Sequence, residues 1–581
     1  MTAPGGAAGP GGSVAVAVAG ERAALPSSGD PVVAGAVEAL GGAPGRHARL
    51  GERRFWTPLR WIVLLTLLTC ALGFWQKAPC RVHDWTDEYQ YTRACYTDVF
   101  ALWNAEGLAS GDVPYLDHPV EYPVLIGAAM LAVSAVTDDV ARVLPGTYGD
   151  QVREADRAVQ EAVLASGAGS TEAQAAASER AALLDRTFFD LTWVLLTAAA
   201  VVVAVTTARL AGRRRVWDAA MVALAPGLLV HATTNWDLLA AALAGLGLVA
   251  WARRRPVLAG VLLGLGTATK LYPLLLLAPL LALCWRAGRL RSGLLTATAL
   301  VLTAGAVTLP VYLASPMFGD VDGAQVRVAS SPWDRLPGEG LAALAPHLAT
   351  SGPSGEPVEG VNAVYRFVEL NATRPADWDS LAYALQSTRS SLDGPLGHAY
   401  SGLADLVLGD GSDTDGVPTR LNAWVAVGTL VTLALVTLLA LRAPRRPRLA
   451  QLAFLTVVGF LLTNKVFSPQ YVLWVLPLAV LARPRWGPFL AWQATEVLVL
   501  FTRFYFFVSL PLGEGDQGSE GIDQAWFLSA VVLRDLALVL LAAAVVRDVL
   551  RPERDVVRAD ATDDPAGGVL DRAPDRVPAR A

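Results

Sequence analysis

Residues 192–215 read TWVLLTAAAVVVAVTTARLAGRRR, a long apolar run that ends in a cluster of arginines. A helix needs about 20 mostly apolar residues to cross the hydrocarbon core of a bilayer, and this run provides them. Its residues do not alternate between polar and apolar, as those of a membrane β-strand would. The stretch therefore predicts a membrane-spanning α-helix whose end is marked by positive charge.

Similar apolar runs recur along the chain. Of its 581 residues, 53% are hydrophobic and only 17% are charged, whereas soluble domains carry about 25% charged residues. We therefore predict an all-α polytopic membrane protein, a bundle of about 12 transmembrane helices whose immediate partner is the lipid bilayer. The net charge of −5 says little, because the charges are sorted by position. No nucleic-acid partner is expected.

Basic clusters follow every second apolar run from residue 212 onward. They lie at 212–215, 252–256, 286–293, 442–450, 483–486 and 547–554. Because cytoplasmic loops are enriched in Lys and Arg, these turns are predicted to be cytoplasmic and the connections between them extracytoplasmic. Both termini then lie in the cytoplasm.

One apolar run, 122–137, breaks this alternation. If it crossed the membrane fully, the basic cluster 547–554 would lie outside, against the positive-inside rule. We interpret 122–137 as a helix that enters the membrane without fully crossing it.

Composition divides the chain into three parts. Residues 1–55 and 547–581 are polar or rich in Gly, Ala and Pro, and they are predicted to be disordered cytoplasmic tails. Residues 56–546 form the membrane domain. Three polar segments interrupt it: a first extracytoplasmic loop (76–121), a polar helical insert interpreted as a solvated hairpin (138–187), and a long, folded extracytoplasmic loop (314–421).

The first loop combines many carboxylates with aromatic residues. Residues 95–123 read CYTDVFALWNAEGLASGDVPYLDHPVEYP. The apolar residues that follow Thr97 predict a short amphipathic helix in the membrane interface. Asp98 would lie in its first turn, where an acid is favoured by the helix dipole and can simply serve as a helix-start residue. The alternative is that Asp98 is a catalytic carboxylate.

The cysteines are few. Cys80 and Cys95 both lie in the first loop. If this loop faces an oxidising compartment, the two can form a disulfide, and otherwise they are free thiols. Cys70 and Cys284 lie in or beside apolar runs and are expected to be packing residues.

Ionisable residues stand where apolar runs meet the extracytoplasmic face: Asp98, Asp237, Lys270, Lys465 and Arg503. Such positions are costly for a charge and mark functional candidates by default. Each residue on its own is also explained as a snorkelling side chain at a helix end. Together they offer cations for a phosphate and a carboxylate that can accept a proton. This combination is what a site for an anionic lipid head group needs.

The order of these features resembles a known family. A first span is followed by Asp98, GLASGDVPY (107–115) and EYPVL (121–125), and later by TATKLYPLLLLAPLL (267–281) and TNKVFSPQYVLWVLPLAVL (463–481). From about residue 55 to residue 546, the chain resembles the GT-C superfamily of membrane glycosyltransferases. It looks most like the polyprenyl-phosphate-mannose-dependent mannosyltransferases of actinobacteria, glycosyltransferase family 87.

The resemblance implies a GT-C-like bundle with extracytoplasmic interfacial helices and an active site on the extracytoplasmic face. A hexose, with mannose expected, would pass with inversion from a polyprenyl-phosphate donor to a glycolipid or lipid-linked glycan acceptor. Asp98 would be the general base. The donor phosphate would be bound by Lys465, Lys270 and Arg503, and the substrate pocket would include Glu121, Tyr122, Asp237, Gln470 and Tyr471. The cysteine pair, the insert and the long loop are not expected of this family, and they leave the acceptor open.

No nucleotide-binding pattern accompanies these residues. The sequence contains neither a Gly-x4-Gly-Lys-Ser/Thr loop nor a Gly-x-Gly-x-x-Gly motif after a strand. No cofactor is required by the expected chemistry and no metal site is predicted, although a divalent cation stays compatible with the sequence. VHDWTDEY (82–89) is interpreted as a solvated loop face, with a divalent-cation site as the alternative.

Two other classes of function stay open. Apolar helices with charges at membrane depth also describe a polytopic transporter or a flippase of lipid-linked sugars. A non-catalytic envelope-assembly protein is the third possibility. The hydropathy of the two halves shows no internal repeat, which argues against a carrier.

Overall fold

The computed structural model describes residues 57–82, 85, 88–167, 169–352, 355–388, 401–402, 404–405, 408, 418–510, 521–558 and 563–576. The predicted N-terminal tail, 1–55, lies outside these residues. Helices dominate the described part of the chain, and several are long and apolar enough to cross a membrane. The predicted all-α polytopic class is therefore confirmed.

The helices that precede the long loop are α1 (Pro58–Val82), α2 (Tyr89–Thr92), α3 (Asp98–Ala105), α4 (Val124–Val143), α5 (Thr147–Ser166), α6 (Thr171–Ala211), α7 (Ala220–Ala223), α8 (Pro226–His231), α9 (Asp237–Ala252), α10 (Pro256–Thr269), α11 (Tyr272–Leu275), α12 (Leu277–Arg286) and α13 (Leu290–Ala314). The long loop contains α14 (Pro332–Glu339), α15 (Arg366–Thr373) and α16 (Leu381–Thr388). After it come α17 (Thr419–Arg442), α18 (Leu449–Thr463), α19 (Val472–Ala482), α20 (Trp486–Val508) and α21 (Gln524–Leu550).

The membrane helices run between two ends of the bundle. We call the end that bears the first loop the loop end, and the opposite end the arginine end. Arg215, Arg286 and Arg448 come from three separate turns, yet all three contact the C-terminal segment 555–576. The basic clusters predicted to share one side of the membrane therefore do meet at one end of the bundle.

The helices predicted to make up about 12 spans are of two kinds. Among the described residues, six helices are long and apolar enough to cross a membrane: α1, α4, α6, α13, α17 and α21. Shorter apolar helices accompany them, among them α9 with 16 residues and α10 with 14. At about 1.5 Å per residue these fall short of the hydrocarbon thickness. Most of their side chains are buried inside the bundle, where irregular backbone at their ends is tolerated.

Helix α4 covers the run that we predicted to enter the membrane without crossing. By length and composition alone it could cross. Its contacts, however, keep both of its ends at the loop end. Tyr122, just before the helix, hydrogen-bonds Asp98, and Asp138, in its second half, pairs with Arg180 of α6 at 2.5 Å. Arg180 lies about two turns before Phe188, which packs on the first loop. These contacts agree with a helix that does not cross fully.

The polar insert is helical, and it is joined directly to a membrane helix. Helix α5 packs antiparallel on the first half of α6, with Tyr148 hydrogen-bonded to Thr187 and Asp156 paired with Arg180. Helix α6, 41 residues long in all, continues without a break to the arginine end. The insert is therefore a rigid extension of a membrane helix at the loop end.

The long loop is built around a small sheet that the sequence analysis did not predict. Four antiparallel strands lie in the order β2-β1-β4-β3, namely β1 (Met317–Val321), β2 (Ala324–Ala329), β3 (His347–Ser351) and β4 (Pro357–Asn362). Asn362 ties the sheet to the end of α13 through hydrogen bonds to the carbonyls of Tyr312 and Ser315. The sheet thus holds the following helix, α15, in a fixed position over the bundle.

The C-terminal segment differs from the prediction of disorder for 547–581. Helix α21 continues to Leu550, and residues 552–558 and 563–576 are described, with much of this segment packed on the arginine end. Asp555 accepts hydrogen bonds of 2.8 and 3.1 Å from Arg448, and both side chains are 2% exposed. Asp575 accepts two bonds of 2.7 Å from Arg286. The prediction is wrong here because composition does not reveal that acids of a polar tail have partners in distant arginine turns.

We expect Asp555→Asn to destabilise the protein strongly. The change leaves the buried Arg448 guanidinium without its counter-charge, and breaking a buried pair in this way costs about 3–5 kcal/mol. Thermal unfolding of the detergent-solubilised protein measures the effect. Glu553→Gln, an exposed change in the same segment, is the control. Equal unfolding midpoints for the two variants would contradict a stabilising role of the segment.

Candidate active site

A cavity of about 500 Å³ opens at the loop end of the bundle. Its walls come from the first loop, the long loop and the ends of several membrane helices. The residues predicted for the site that line it are Asp98, Glu121, Tyr122, Lys270, Gln470, Tyr471 and Arg503. Residues more than 400 positions apart in the sequence thus meet around one space. Asp237 and Lys465 are not among the lining residues.

Asp98 is held at the cavity by the backbone on both sides of it. Thr97, and not Asp98, is the N-cap of α3, since its hydroxyl accepts a hydrogen bond of 3.2 Å from the amide of Val99. The Thr97 hydroxyl also donates to the carbonyl of Thr233, and the Asp98 amide donates to the carbonyl of Thr234 at 2.8 Å. Capping therefore does not require the Asp98 carboxylate, although Asp98 does lie in the first turn, where the helix dipole favours an acid.

Two further contacts fix the segment that leads to Asp98. Cys80 and Cys95 form a disulfide with their Cα atoms 5.6 Å apart. The ammonium of Lys77, buried in α1, donates a hydrogen bond of 2.8 Å to the carbonyl of Tyr96. The first loop is thereby joined to the first membrane helix by a covalent bond and by a buried hydrogen bond.

The Asp98 carboxyl lies in a largely apolar, aromatic environment. The Tyr122 hydroxyl is 3.4 Å from its Oδ2 atom, and Tyr96 also donates a hydrogen bond to it. Burial raises the pKa of the Asp98 carboxyl above its ordinary value, while the Tyr96 hydrogen bond and the charges of Lys270 and Arg503 act in the opposite direction. A carboxyl with a raised pKa is a stronger base, as general base catalysis requires.

Lys270 forms a second polar centre of the cavity. Its ammonium lies 3.4 Å from the buried Asp237 carboxylate and over the rings of Tyr122 and Tyr471, at 4.7 and 5.6 Å from their centroids. Asp237 also accepts a hydrogen bond of 3.0 Å from the Trp474 indole. Asp237 therefore orients Lys270 from behind, instead of facing the cavity as predicted.

Arg503 forms the third centre, and its partner comes from the long loop. The guanidinium lies 3.2 Å from Asp379, a fully buried carboxylate, and over the ring of Phe507 at 5.0 Å. Burial raises the pKa of Asp379 to about 7, against the effect of Arg503. The arginine is thus held between an acid of the long loop and the cavity, into which it can donate further hydrogen bonds.

Lys465 lies in a different environment from the predicted phosphate site. Its ammonium donates hydrogen bonds to the carbonyls of Ala372 (3.2 Å) and Arg374 (2.7 Å) and to Asn422 Oδ1 (2.6 Å). Burial lowers its pKa to about 8, and the nearby Arg374 acts in the same direction. With these acceptors satisfying its donors, Lys465 anchors the C-terminal end of α15 and does not face the cavity.

Some lining residues were missed by sequence reasoning. Arg374 pairs with Glu121 at 3.3 Å and closes the rim of the cavity from the long loop. Burial raises the pKa of Glu121, and Arg374 opposes this shift. His231, fully buried, also lines the cavity, and its Nδ1 atom lies 3.3 Å from the Thr234 hydroxyl. The segment NATRPADWDS (371–380) carries the charge pattern that could have drawn attention to the loop.

The described residues contain no candidate metal site. None of them form a group of three or more His, Cys, Asp or Glu side chains suited to a metal ion. The alternative cation site in the first loop would use His83, Asp84, Asp87 and Glu88. The first three lie outside the described residues, and Glu88 is buried.

Comparison with known families gives one result. Residues 181–336 match the model of glycosyltransferase family 87. The matched region contains Asp237 and Lys270, and Asp98 precedes it. No curated protein matches the chain significantly. The match over this part of the chain agrees with the resemblance to family 87 predicted from the sequence, and with the helical membrane architecture it indicates a membrane glycosyltransferase.

Proposed function

We propose that the chain transfers a hexose, with mannose as the expected sugar, from a polyprenyl-phosphate donor to a glycolipid or lipid-linked glycan acceptor. The observation that carries this proposal is the single cavity in which the Asp98 carboxyl faces Lys270 and Arg503. An anionic lipid phosphate needs cations, and an acceptor hydroxyl needs a base. The family match favours this transferase over the carrier and the envelope-assembly protein.

The proposed reaction is an in-line displacement at the anomeric carbon. The acceptor hydroxyl attacks that carbon as Asp98 takes up its proton. The bond between the anomeric carbon and the phosphate oxygen breaks, and polyprenyl phosphate leaves with the bonding electrons. Attack from the face opposite the leaving group inverts the configuration. The cations of the cavity stabilise the negative charge that develops on the phosphate.

The proposed location is the extracytoplasmic face. The arginine clusters meet at the opposite end of the bundle from the cavity, and positive turns mark the cytoplasmic side. An oxidising compartment is also consistent with the disulfide between Cys80 and Cys95. The lipid donor would then reach the cavity from the outer leaflet.

We expect Asp98→Asn to lower turnover by about two orders of magnitude or more while donor binding is retained, because the amide cannot accept the proton. The assay follows transfer of labelled mannose from polyprenyl-phospho-mannose to a glycolipid extract by the purified protein in lipid vesicles. Asp117→Asn, an exposed change in the same loop, is the matched control and should retain activity. Near-normal transfer by Asp98→Asn, with loss in Glu121→Gln or Asp117→Asn, would identify another carboxylate as the base.

The pH dependence of the wild-type enzyme tests the same assignment. Asp98 acts only when deprotonated, so kcat/KM should fall as the pH drops through its folded-state pKa. Because burial raises this pKa, the acidic limb should lie above the ordinary aspartate value of about 3.9. The residual activity of Asp98→Asn should lack this limb. An unchanged limb in the variant would assign the titration to a different group.

The cation that binds the donor phosphate can be identified by comparing substitutions of two residues, one that lines the cavity and one that does not. We expect Arg503→Gln to raise the donor KM by about tenfold or more, since charge-assisted hydrogen bonds contribute about 1.5–3 kcal/mol. Lys465→Gln should leave the donor KM nearly unchanged and instead lower the thermal unfolding midpoint, because it releases the end of α15. The reverse pattern would restore Lys465 as the phosphate ligand.

A further inference from the structure

A second cavity, of about 720 Å³, lies beside the catalytic cavity at the loop end. Helix α3 separates the two, since Asp98 at its start lines the first cavity while Ala101 and Asn104 line the second. The ring of Trp85 lines the second cavity and packs on Tyr96, which lines the first, with ring centroids 5.3 Å apart. The two spaces thus share one wall.

The polar insert forms the opposite wall. The lining residues from α6 are Ala177, Ser178, Ala181, Ala182, Asp185 and Arg186, all of which belong to the segment 138–187. Alanines on this face leave room that larger side chains would fill. The insert therefore gives this cavity its depth. Neither the proposed chemistry nor the packing of the membrane helices requires the insert.

The lining is suited to a ligand rich in hydroxyl groups. Asp185 lines this cavity, and its buried Oδ1 atom has no hydrogen-bond partner within the described part of the chain. Asn104, Ser110 and Arg186 add donors and acceptors at the same cavity. Trp85 offers an apolar ring surface. Pockets for lipid tails or drug-like molecules are instead lined mostly by apolar groups.

The charges of the lining argue against a polyanionic ligand. Arg81 is already paired with Asp190 at 2.5 Å and lies over the ring of Phe74. Arg186 is next in sequence to the acidic Asp185. A neutral carbohydrate chain needs donors, acceptors and a ring surface without strong net charge, and these are the groups present.

We propose that this second cavity binds the glycan chain of the acceptor, beyond the sugar that reacts. The proposal rests on the proposed function, because it supposes that the acceptor is a glycan. Helix α3 is about 10 Å across with its side chains, so a chain of a few sugars can pass around it from one cavity to the other. The insert would then select extended acceptors over short ones.

The experiment measures binding separately from transfer. Linear pentasaccharides of mannose, glucose or galactose are titrated against the purified protein in detergent. We expect at least one to bind the wild type and Asp98→Asn equally. Ala181→Trp, which fills the cavity, should weaken that binding by about tenfold or more, and Asn104→Ala should weaken it less. Glu179→Ala, an exposed change on the same helix outside the cavity, is the matched control.

A transfer assay with acceptors of two lengths completes the test. Ala181→Trp should raise the KM for a pentasaccharide glycolipid and leave that for a monosaccharide glycolipid unchanged, which also shows that the variant is folded. Absence of binding by all three pentasaccharides to the wild type, or equal binding by wild type and Ala181→Trp, would overturn the proposal. If the wild type binds a pentasaccharide but transfers no sugar to either acceptor, the proposed function is contradicted, while the cavity still binds a glycan.

Discussion

Buried charges at both ends of the bundle are paired with carboxylates from other segments of the chain. At the loop end, Lys270 lies against Asp237, and at the arginine end, Arg448 lies against Asp555. A buried charge without a partner costs several kcal/mol, so each pair fixes the position of one segment against another. The apolar helices provide the frame, but these pairs determine which connecting segments close each end.

This constraint explains why the long loop is part of the candidate site. Asp379 reaches Arg503, and Arg374 reaches Glu121, so two charged contacts bring the loop onto the cavity. Lys465 adds a third tie through the end of α15. Each cation that faces the cavity is therefore paired with an acid. The acid fixes the orientation of the cationic side chain, whose remaining hydrogen-bond donors are left for a ligand.

The sequence was sufficient for the helices and for much of the site, for a physical reason. Apolar runs of membrane length can form only helices in lipid, and charges at their ends are rare enough to mark candidates. Of the five marked residues, Asp98, Lys270 and Arg503 line the cavity, and Asp237 and Lys465 do not. It was insufficient where a side chain's direction depends on a distant loop. Lys465 follows an apolar run in the same way as Lys270, yet its acceptors are carbonyls of a loop helix that no periodicity connects to it. The acids of the C-terminal segment were misjudged for the same reason.

The placement of residues 555–575 also has a consequence for the order in which the molecule can assemble. This stretch leaves the ribosome after the membrane helices that the structure describes, whereas Asp237 and Lys270 lie on consecutive helices and are made earlier. During synthesis Arg286 and Arg448 have no carboxylate from this stretch to pair with. The Asp237–Lys270 pair can therefore form while later helices are still being inserted, and the arginine end stays open until residues 555–575 are translated. Closure of the bundle is in this sense a step that follows insertion.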